Sequence, residues 1–276
     1  MSEQEFYVKF WGVRGSLPSP GPHTVEFGGN TPCVEIRCGD KLLVFDAGSG
    51  IMPFGNSLCE EQIKKLDLFF SHYHYDHIVG LPFFAPFYRS DTHIRVWAGH
   101  EPQEKSARSV FEAFMKPPFF PVPPKIFHAE LDYKDFEPGD ELDMGDGVKI
   151  ETTALNHPGG AVGYRVNYRG KSICYVTDTE HVPGHVDENI LHLIRNADVM
   201  IYDASFSDEN FSQYKGFGHS TWQEGARLCE AANVKTYVIF HHMPSATDSD
   251  LLALETKAKK MFANAMVARE GAVIAP

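Results

Sequence analysis

The sequence lacks the features that would place it in a membrane, in an oxidising compartment or on a nucleic-acid backbone. No stretch approaches the roughly 18 consecutive apolar residues of a membrane span, and the N-terminus shows no secretion signal. The five cysteines are scattered without a CxxC pair, which is typical of reduced thiols. Lys and Arg total 25 against 37 Asp and Glu, a net charge of -12. We therefore expect a soluble cytoplasmic protein with no membrane partner, for which nucleic acid is disfavoured but not excluded, because bound dications can supply local positive charge.

The chain alternates short β-rich runs with helical segments. Strand-like runs recur in both halves, for example "KLLVFDAG" and "KSICYVTD", and helices are predicted near Val186–Arg195, Ser220–Val234 and Ser249–Ala265. The Pro-rich, aromatic run "KPPFFPVPPKIF" predicts a loop insertion within 101–140. Two β-rich halves joined to helices, with no linker between them, predict one domain over residues 1–276, in which two sheets pack face to face with helices outside.

The stretch "SHYHYDH", Ser71 to His77, concentrates potential metal ligands directly after an apolar strand. Alternate residues of an extended segment point the same way, so His72 and His74 can hold one cation together. Asp76 and His77 follow where the chain turns into a helix, and they can reach a second cation. Imidazole and carboxylate ligands suit Zn²⁺, with Mn²⁺ and Fe²⁺ as alternatives.

Further candidate ligands close three later strand-like runs, at His157, Asp178 and His242. In order, this set resembles the HxHxDH motif and later ligands of the metallo-β-lactamase superfamily. The resemblance implies an α/β (α+β) fold, the αββα four-layer sandwich, and two divalent metal ions. It assigns one ion to His72, His74 and His157, the other to Asp76, His77 and His242, and the bridge to Asp178. His241 stays open as the alternative to His242, because a strand turns only one of two adjacent side chains toward the metals.

The resemblance also indicates residues around the ligands. Asp46, after the run "LLVF", resembles the aspartate that orients a ligand imidazole in this superfamily, although a turn aspartate before glycine explains it equally. The segments "GFGHSTW" and "YDASF" resemble elements of the phosphodiesterase branch, which includes the tRNA 3′-end nucleases. By that comparison His219 protonates the leaving oxygen and Asp203 holds its imidazole, so Asp76, His219 and Asp203 are the predicted catalytic residues. The remaining histidines considered are predicted to be structural or solvent-facing: His93, His128, His181, His185 and His192.

These elements favour a dinuclear metal-dependent hydrolase with a metal-bridging hydroxide as nucleophile. The tRNA nucleases carry a long basic arm, whereas only 20 residues separate His157 from Asp178 here. The leading prediction is therefore a phosphodiesterase acting on a cyclic nucleotide or another small anionic phosphodiester. The alternatives are an RNA 3′-end processing nuclease, a lactam or thioester hydrolase, and a nucleotide-binding sensor without turnover. The 116–124 loop is predicted either to stack on a base or to cover an apolar edge or dimer contact, and a homodimer is suggested by analogy only.

Overall fold

The computed structural model describes residues 6–99 and 106–276, and its framework is two β-sheets of seven strands each. The first sheet contains β1 (Phe6–Gly12), β2 (Cys33–Cys38), β3 (Lys41–Phe45), β4 (Lys65–Phe69), β5 (His93–Ala98), β6 (Glu130–Asp135) and β14 (Val273–Ile274). The second contains β7 (Glu141–Gly145), β8 (Val148–Leu155), β9 (Ala161–Tyr168), β10 (Lys171–Val176), β11 (Val199–Asp203), β12 (Thr236–Phe240) and β13 (Ala265–Val267). Each half of the chain thus builds one sheet, and β14 returns from the second half to pair with β1.

Both sheets change from antiparallel to parallel pairing near the middle. In the first sheet β1, β2 and β3 pair antiparallel, whereas β3, β4, β5 and β6 pair parallel. In the second sheet β7 to β10 pair antiparallel, and β10 to β13 pair parallel. The carboxyl ends of parallel strands form a common edge, which is where α/β sheets usually place a site.

The two sheets face each other across an aromatic core. Phe45 of β3 stacks on Phe69 of β4 with ring centroids 5.1 Å apart. Tyr164, from β9 of the opposite sheet, meets both rings edge-on at 5.2 and 5.7 Å. Because all three rings are buried, they contribute apolar burial at about 25 cal/mol per Å² and fix the sheets against each other.

Helices cover the outer faces of both sheets. They are α1 (Ile51–Glu60), α2 (Tyr75–Ile78), α3 (Ala107–Phe114), α4 (Glu188–Ile194), α5 (Trp222–Ala231) and α6 (Asp248–Met261). The first and third pack on the first sheet, and the last three pack on the second. The predicted αββα sandwich is confirmed. Within the described ranges, the helices are too short or too polar to cross a membrane.

The structure differs from the sequence prediction mainly between 101 and 140. Residues 101–105 lie outside the described part of the chain. The proline-rich run has irregular backbone apart from a short 3-10 helix at Pro124–Ile126, with Phe120 against Phe83 and Phe119 79% exposed. The segment also contains α3 and β6, and β6 is an edge strand of the first sheet. Each residue of β6 is half-buried or exposed, so the strand lacks the alternation that identifies strands from sequence.

Candidate metal centre

The candidate site forms where strands of both sheets end. Ser71 and His72 follow β4, Asp178 follows β10, and His241 follows β12. The motif continues from His72 into α2, which starts at Tyr75 and carries Asp76 and His77 in its first turn. The edges of the two sheets therefore bring distant segments of the chain to one place.

Three histidines form one group of potential ligands. The ring nitrogens His74 Nδ1 and His157 Nε2 lie 2.9 Å apart. The ring of His72 lies 4.5 Å from that of His74 and 4.6 Å from that of His157. His72 and His157 are buried and His74 is exposed, so this group reaches the mouth of the site. The structure thus brings together the three side chains predicted for the first ion.

A second group consists of Asp76, His77 and His241. The Oδ2 atom of Asp76 lies 3.3 Å from His77 Nε2 and 3.2 Å from His241 Nε2. All three side chains are buried. Asp76 and His77 were predicted for the second ion. The third member, His241, is the neighbour of the predicted His242.

The prediction of His242 as the last ligand is corrected by the structure. The Nε2 atom of His242 donates to the carbonyl of Ala268 at 2.9 Å, away from the cluster. Burial lowers the pKa of His242 to about 3, so its ring is a neutral core residue. The reason lies at His241, whose φ of 63° breaks the extended geometry one residue after β12 ends. Strand alternation no longer applies there, and the left-handed residue turns its own side chain to the site.

Asp178 lies between the two groups. Its carboxylate oxygens lie 3.2 Å from His77 Nε2, 3.4 Å from His241 Nε2, 3.8 Å from His72 Nε2 and 3.9 Å from His157 Nε2. Members of both groups are therefore within 4 Å of one carboxylate. This is the position that a bridging ligand requires.

The electrostatics of the cluster suit divalent cations. Burial, reinforced by the nearby His77 imidazole, holds the pKa of His72 well below its usual value, so that ring is neutral and can donate a lone pair. Burial alone would raise the pKa of Asp178, but His241, His77 and His72 outweigh it and hold that pKa well below its usual value. The carboxylate of Asp178 is therefore ionised. Asp76 lies in the same buried cluster, and buried negative charge is stabilised by a bound cation.

Two buried nitrogen atoms test whether metal ions fit this cluster. Among the described residues, His72 Nε2 and His77 Nε2 are buried without a hydrogen-bond partner. Native proteins rarely leave such atoms unpaired, because each costs about 1–3 kcal/mol. Both atoms face the carboxylate of Asp178, and both belong to groups whose ligand atoms lie within 4.8 Å of one another. The donor set, N and O atoms only, fits Zn²⁺ or the harder Mn²⁺ and Fe²⁺.

Asp46 orients His77 from behind. Its Oδ2 accepts from His77 Nδ1 at 2.8 Å, from Ser71 Oγ at 2.8 Å and from the hydroxyl of Tyr175 at 2.8 Å. The bond to Nδ1 leaves His77 Nε2 as the atom facing the cluster. The alternative of a simple turn aspartate is insufficient, although Asp46 does adopt a turn-like φ of 64°.

The N-terminal loop contacts the site in a way that sequence reasoning missed. The backbone N–H of Ser16 donates to Asp76 Oδ2 at 2.7 Å. A methyl group at Gly15 would lie 2.3 Å from His241 Nδ1, so only glycine fits there. Arg14, in the same loop, is fully buried and donates to the carbonyls of Gly28 and Ala246 at 2.7 and 2.6 Å. In the sequence, the only sign of these contacts is a glycine followed by a polar residue, Gly15 and Ser16.

His219 and Asp203, for which the sequence predicts the roles of general acid and orienting carboxylate, are hydrogen-bonded to each other beside the cluster. His219 Nδ1 lies 2.9 Å from Asp203 Oδ2 and 3.7 Å from Asp178 Oδ1. Burial would lower the pKa of His219, but Asp203, Asp178 and Asp76 outweigh it and raise the pKa to about 9. Asp203 is held in turn by Ser205, whose Oγ donates to Asp203 Oδ1 at 2.9 Å. Asp203 is the last residue of β11, and His219 lies shortly before α5, whose N-cap is Thr221.

His181, three residues after Asp178, lies outside these ligand groups. Its Nδ1 atom is 2.8 Å from Ser220 Oγ, and its ring stacks on Phe211 at 4.2 Å. Burial lowers its pKa. Of the two roles predicted for His181, structural or solvent-facing, these contacts favour the structural one.

Comparison with known proteins places the chain in a class. A family model described as the beta-lactamase superfamily domain matches residues 42–242. With the αββα sandwich and the histidine cluster, this match shows that the chain belongs to the metallo-β-lactamase superfamily. It is a metal-dependent hydrolase of that superfamily.

Individual relatives are more distant. Ribonuclease Z from Archaeoglobus fulgidus is 24% identical over 320 aligned positions that cover 96% of each chain. The metallo-β-lactamase fold protein YhfI from Bacillus subtilis has a TM-score of 0.72 at 18% identity, and a diphosphatase from the PhnP family has 0.69 at 19%, each over 98% of both chains. Because this chain has only 276 residues, the 320-position alignment means that the ribonuclease contains inserted residues that this chain lacks.

Proposed function

We propose that this chain is a phosphoric diester hydrolase with two divalent cations, acting on a cyclic nucleotide or another small anionic phosphodiester. The observation that carries the proposal is the His219–Asp203 pair at 2.9 Å, directly beside the ligand cluster. A carboxylate-oriented imidazole is a suitable general acid. Diester cleavage benefits from one because an alkoxide is a poor leaving group.

The ligand roles in this proposal use the observed groups. His72, His74 and His157 would hold one cation, Asp76, His77 and His241 the other, and Asp178 would contact both. Zn²⁺ is the first candidate, with Mn²⁺ and Fe²⁺ as alternatives. Such cations, when bound, supply Lewis-acid stabilisation of phosphoryl charge and lower the pKa of water.

His219 would move the proton. Its Nδ1–H donates to Asp203 Oδ2, which leaves Nε2 to face the substrate. In the imidazolium form, with a pKa raised to about 9 by the surrounding carboxylates despite burial, Nε2–H can protonate the leaving oxygen. Asp203 keeps the ring in that orientation, since its own oxygens are fixed by the N–H groups of Thr179 and Ser205.

The short connection between β9 and β10, the two strands that follow His157, favours a small substrate. β9 and β10 are connected by Arg169 and Gly170 alone, both with positive φ, a two-residue hairpin turn. This turn leaves no room there for an RNA-binding arm. The net charge of -12 adds repulsion toward a polyanion, whereas a small ester needs to satisfy only the site itself.

The second candidate is an RNA 3′-end processing nuclease. It is favoured by the ribonuclease Z relative, which aligns over 96% of both chains. Both candidate enzymes cleave a phosphodiester, but the rest of the substrate differs: a small molecule in the first case and an RNA in the second. Binding of a tRNA precursor with a steep salt dependence would support the nuclease.

The test is a substrate screen with purified protein. Cyclic mononucleotides, cyclic dinucleotides, a tRNA precursor and a β-lactam are compared with Mn²⁺ and Zn²⁺, using His219→Ala as the matched control. We expect hydrolysis of a cyclic nucleotide that His219→Ala reduces. Processing of the tRNA precursor alone would replace the leading proposal by the second, and β-lactam turnover alone would overturn both.

A further inference from the structure

The loop that precedes His219 has a backbone that only glycine tolerates. Gly216 and Gly218 have φ values of 90° and 85°. A methyl group at Gly218 would lie 2.3 Å from His157 Nδ1, so the backbone passes directly behind this imidazole. The loop therefore approaches His157 as closely as a backbone can.

This close approach makes a hydrogen bond that orients His157. The carbonyl of Gly218 accepts from His157 Nδ1 at 2.8 Å. The proton is thereby assigned to Nδ1, and the lone pair of Nε2 points toward His74 and the cluster. The direction of the Gly218 carbonyl thus decides whether His157 can act as a ligand.

Glu180 fixes that carbonyl. A single carboxylate oxygen, Oε2, accepts from the N–H of Gly216 at 2.7 Å and from that of Gly218 at 2.9 Å. Glu180 is itself tied to the residue before His157, because its N–H donates to the carbonyl of Asn156 at 2.8 Å and its carbonyl accepts from Asn156 Nδ2 at 2.7 Å. Three loops, carrying His157, Asp178 and His219, therefore meet at one residue: the backbone of Glu180 contacts Asn156, and its carboxylate contacts Gly216 and Gly218.

We propose that Glu180 is a positioning residue for the metal centre. Its carboxylate fixes the backbone of Gly216 and Gly218 through two hydrogen bonds. The Gly218 carbonyl then fixes the tautomer and the orientation of the His157 ring. Because His219 follows Gly218 directly, the same hydrogen bonds fix the position of the His219 backbone. Glu180 takes this role only if the cluster holds cations, as proposed above. It has no place in the superfamily motifs used to identify the ligands, and it contributes through geometry rather than through contact with substrate.

The converging geometry gives a conservative variant. Both hydrogen bonds end on one oxygen. Because an amide oxygen has two lone pairs, Glu180→Gln can accept both hydrogen bonds while it loses the charge. Glu180→Ala removes both. The matched control is Glu209→Ala, because Glu209 is exposed and its carboxylate accepts from Gln223 instead.

The experiment measures zinc affinity by competition with a chromogenic chelator, alongside melting temperature in excess EDTA. We expect Glu180→Ala to weaken binding of one zinc ion about 10–100-fold, the usual effect of losing a residue that supports a ligand. Glu180→Gln and Glu209→Ala are expected to stay within about 3-fold of the parent, since the ligand support is kept. The visible spectrum of the cobalt-substituted protein should change in Glu180→Ala only, because it reports ligand geometry.

Several outcomes would overturn the proposal. A zinc affinity of Glu180→Ala equal to that of the parent would show that the Gly216–Gly218 loop keeps its conformation without Glu180. Equal losses in Glu180→Ala and Glu180→Gln would point to charge rather than to hydrogen bonding. If Glu180→Ala does not fold, Glu180→Asp, with a shorter reach, replaces it and must show the same selective loss. A parent protein that binds no metal would instead refute the metal centre itself, which separates the two failures.

Discussion

Three non-glycine residues in the left-handed region serve the site directly. Asp46, Asp178 and His241 have φ values of 64°, 56° and 63°, and each lies one or two residues past the end of a strand. Such conformations cost of order 1 kcal/mol or more each, so surrounding contacts must hold them. The left-handed conformation of His241 explains why strand alternation chose the wrong one of His241 and His242, just beyond the end of β12.

The pair His241 and His242 tests this explanation at single-residue resolution. His241→Ala removes a ligand of the proposed second cation, so we expect bound zinc to fall from about two ions per chain to about one. His242→Ala removes a buried core ring and leaves the Ala268 carbonyl without its donor, so it should cost about 1–3 kcal/mol of unfolding free energy but retain the metal. Metal analysis and urea unfolding of both variants decide the matter. Metal loss in His242→Ala alone would restore the sequence-based assignment.

His219 has a distinct chemical signature as a general acid. His219→Ala should slow cleavage of bis(p-nitrophenyl) phosphate less than cleavage of an ester with a poor alkoxide leaving group, because p-nitrophenolate leaves without a proton. The difference should reach about 10²–10⁴-fold, the usual range for general acid catalysis. Single-turnover rates on both esters measure it. Equal losses would remove His219 as the acid, and unchanged turnover would favour a lactam or thioester hydrolase.

At the scale of elements, the sequence predicted what is local and periodic. The strands preceding His72 and Asp178 and the helix following Thr221 were predictable, since apolar runs and a threonine at the N-cap are local signals. The N-terminal loop was not. Gly15 and Ser16 meet His241 and Asp76 across long separations in sequence, and such contacts have no local pattern. The edge strand β6 was missed because half-burial on both faces removes the alternation.

The N-terminal loop gives a prediction at this scale. Gly15→Ala places a methyl group 2.3 Å from His241 Nδ1, so the ring must move and zinc affinity should fall about 10-fold or more. Gly21→Ala in the same loop is the control, because a methyl group there points into open space as far as the described residues extend. Chelator competition compares the two variants. Equal affinities would mean that the loop yields without disturbing His241.

At the scale of the molecule, two sheets from two halves of the chain must stay in register for the site to exist. Asp198 helps hold the second sheet together. It is buried, with Oδ1 2.7 Å from Lys235 Nζ and Oδ2 accepting from the N–H of Ser172 at 2.8 Å. It therefore links the starts of β10, β11 and β12.

Asp198 gives a stability prediction with a defined pH dependence. Burial would raise the pKa of Asp198, but Lys235 and the Ser172 N–H outweigh it and lower that pKa below its usual value. A lowered pKa in the folded state means stabilisation that is present above the unfolded value near 3.9 and lost as pH falls through the folded pKa. Asp198→Asn should therefore cost about 1–2 kcal/mol at pH 7, a cost that shrinks below about pH 4. Urea unfolding at both pH values checks this, and a pH-independent difference would contradict it.

The central claim is that two groups of side chains and one shared carboxylate hold a pair of divalent cations. The most direct measurement is metal content per chain after zinc or manganese loading and gel filtration, for the parent and for Asp178→Ala. We expect about two ions in the parent, and the loss of at least one ion together with all turnover in Asp178→Ala. A parent protein that binds no divalent ion, or a variant that keeps both ions and its activity, would contradict it.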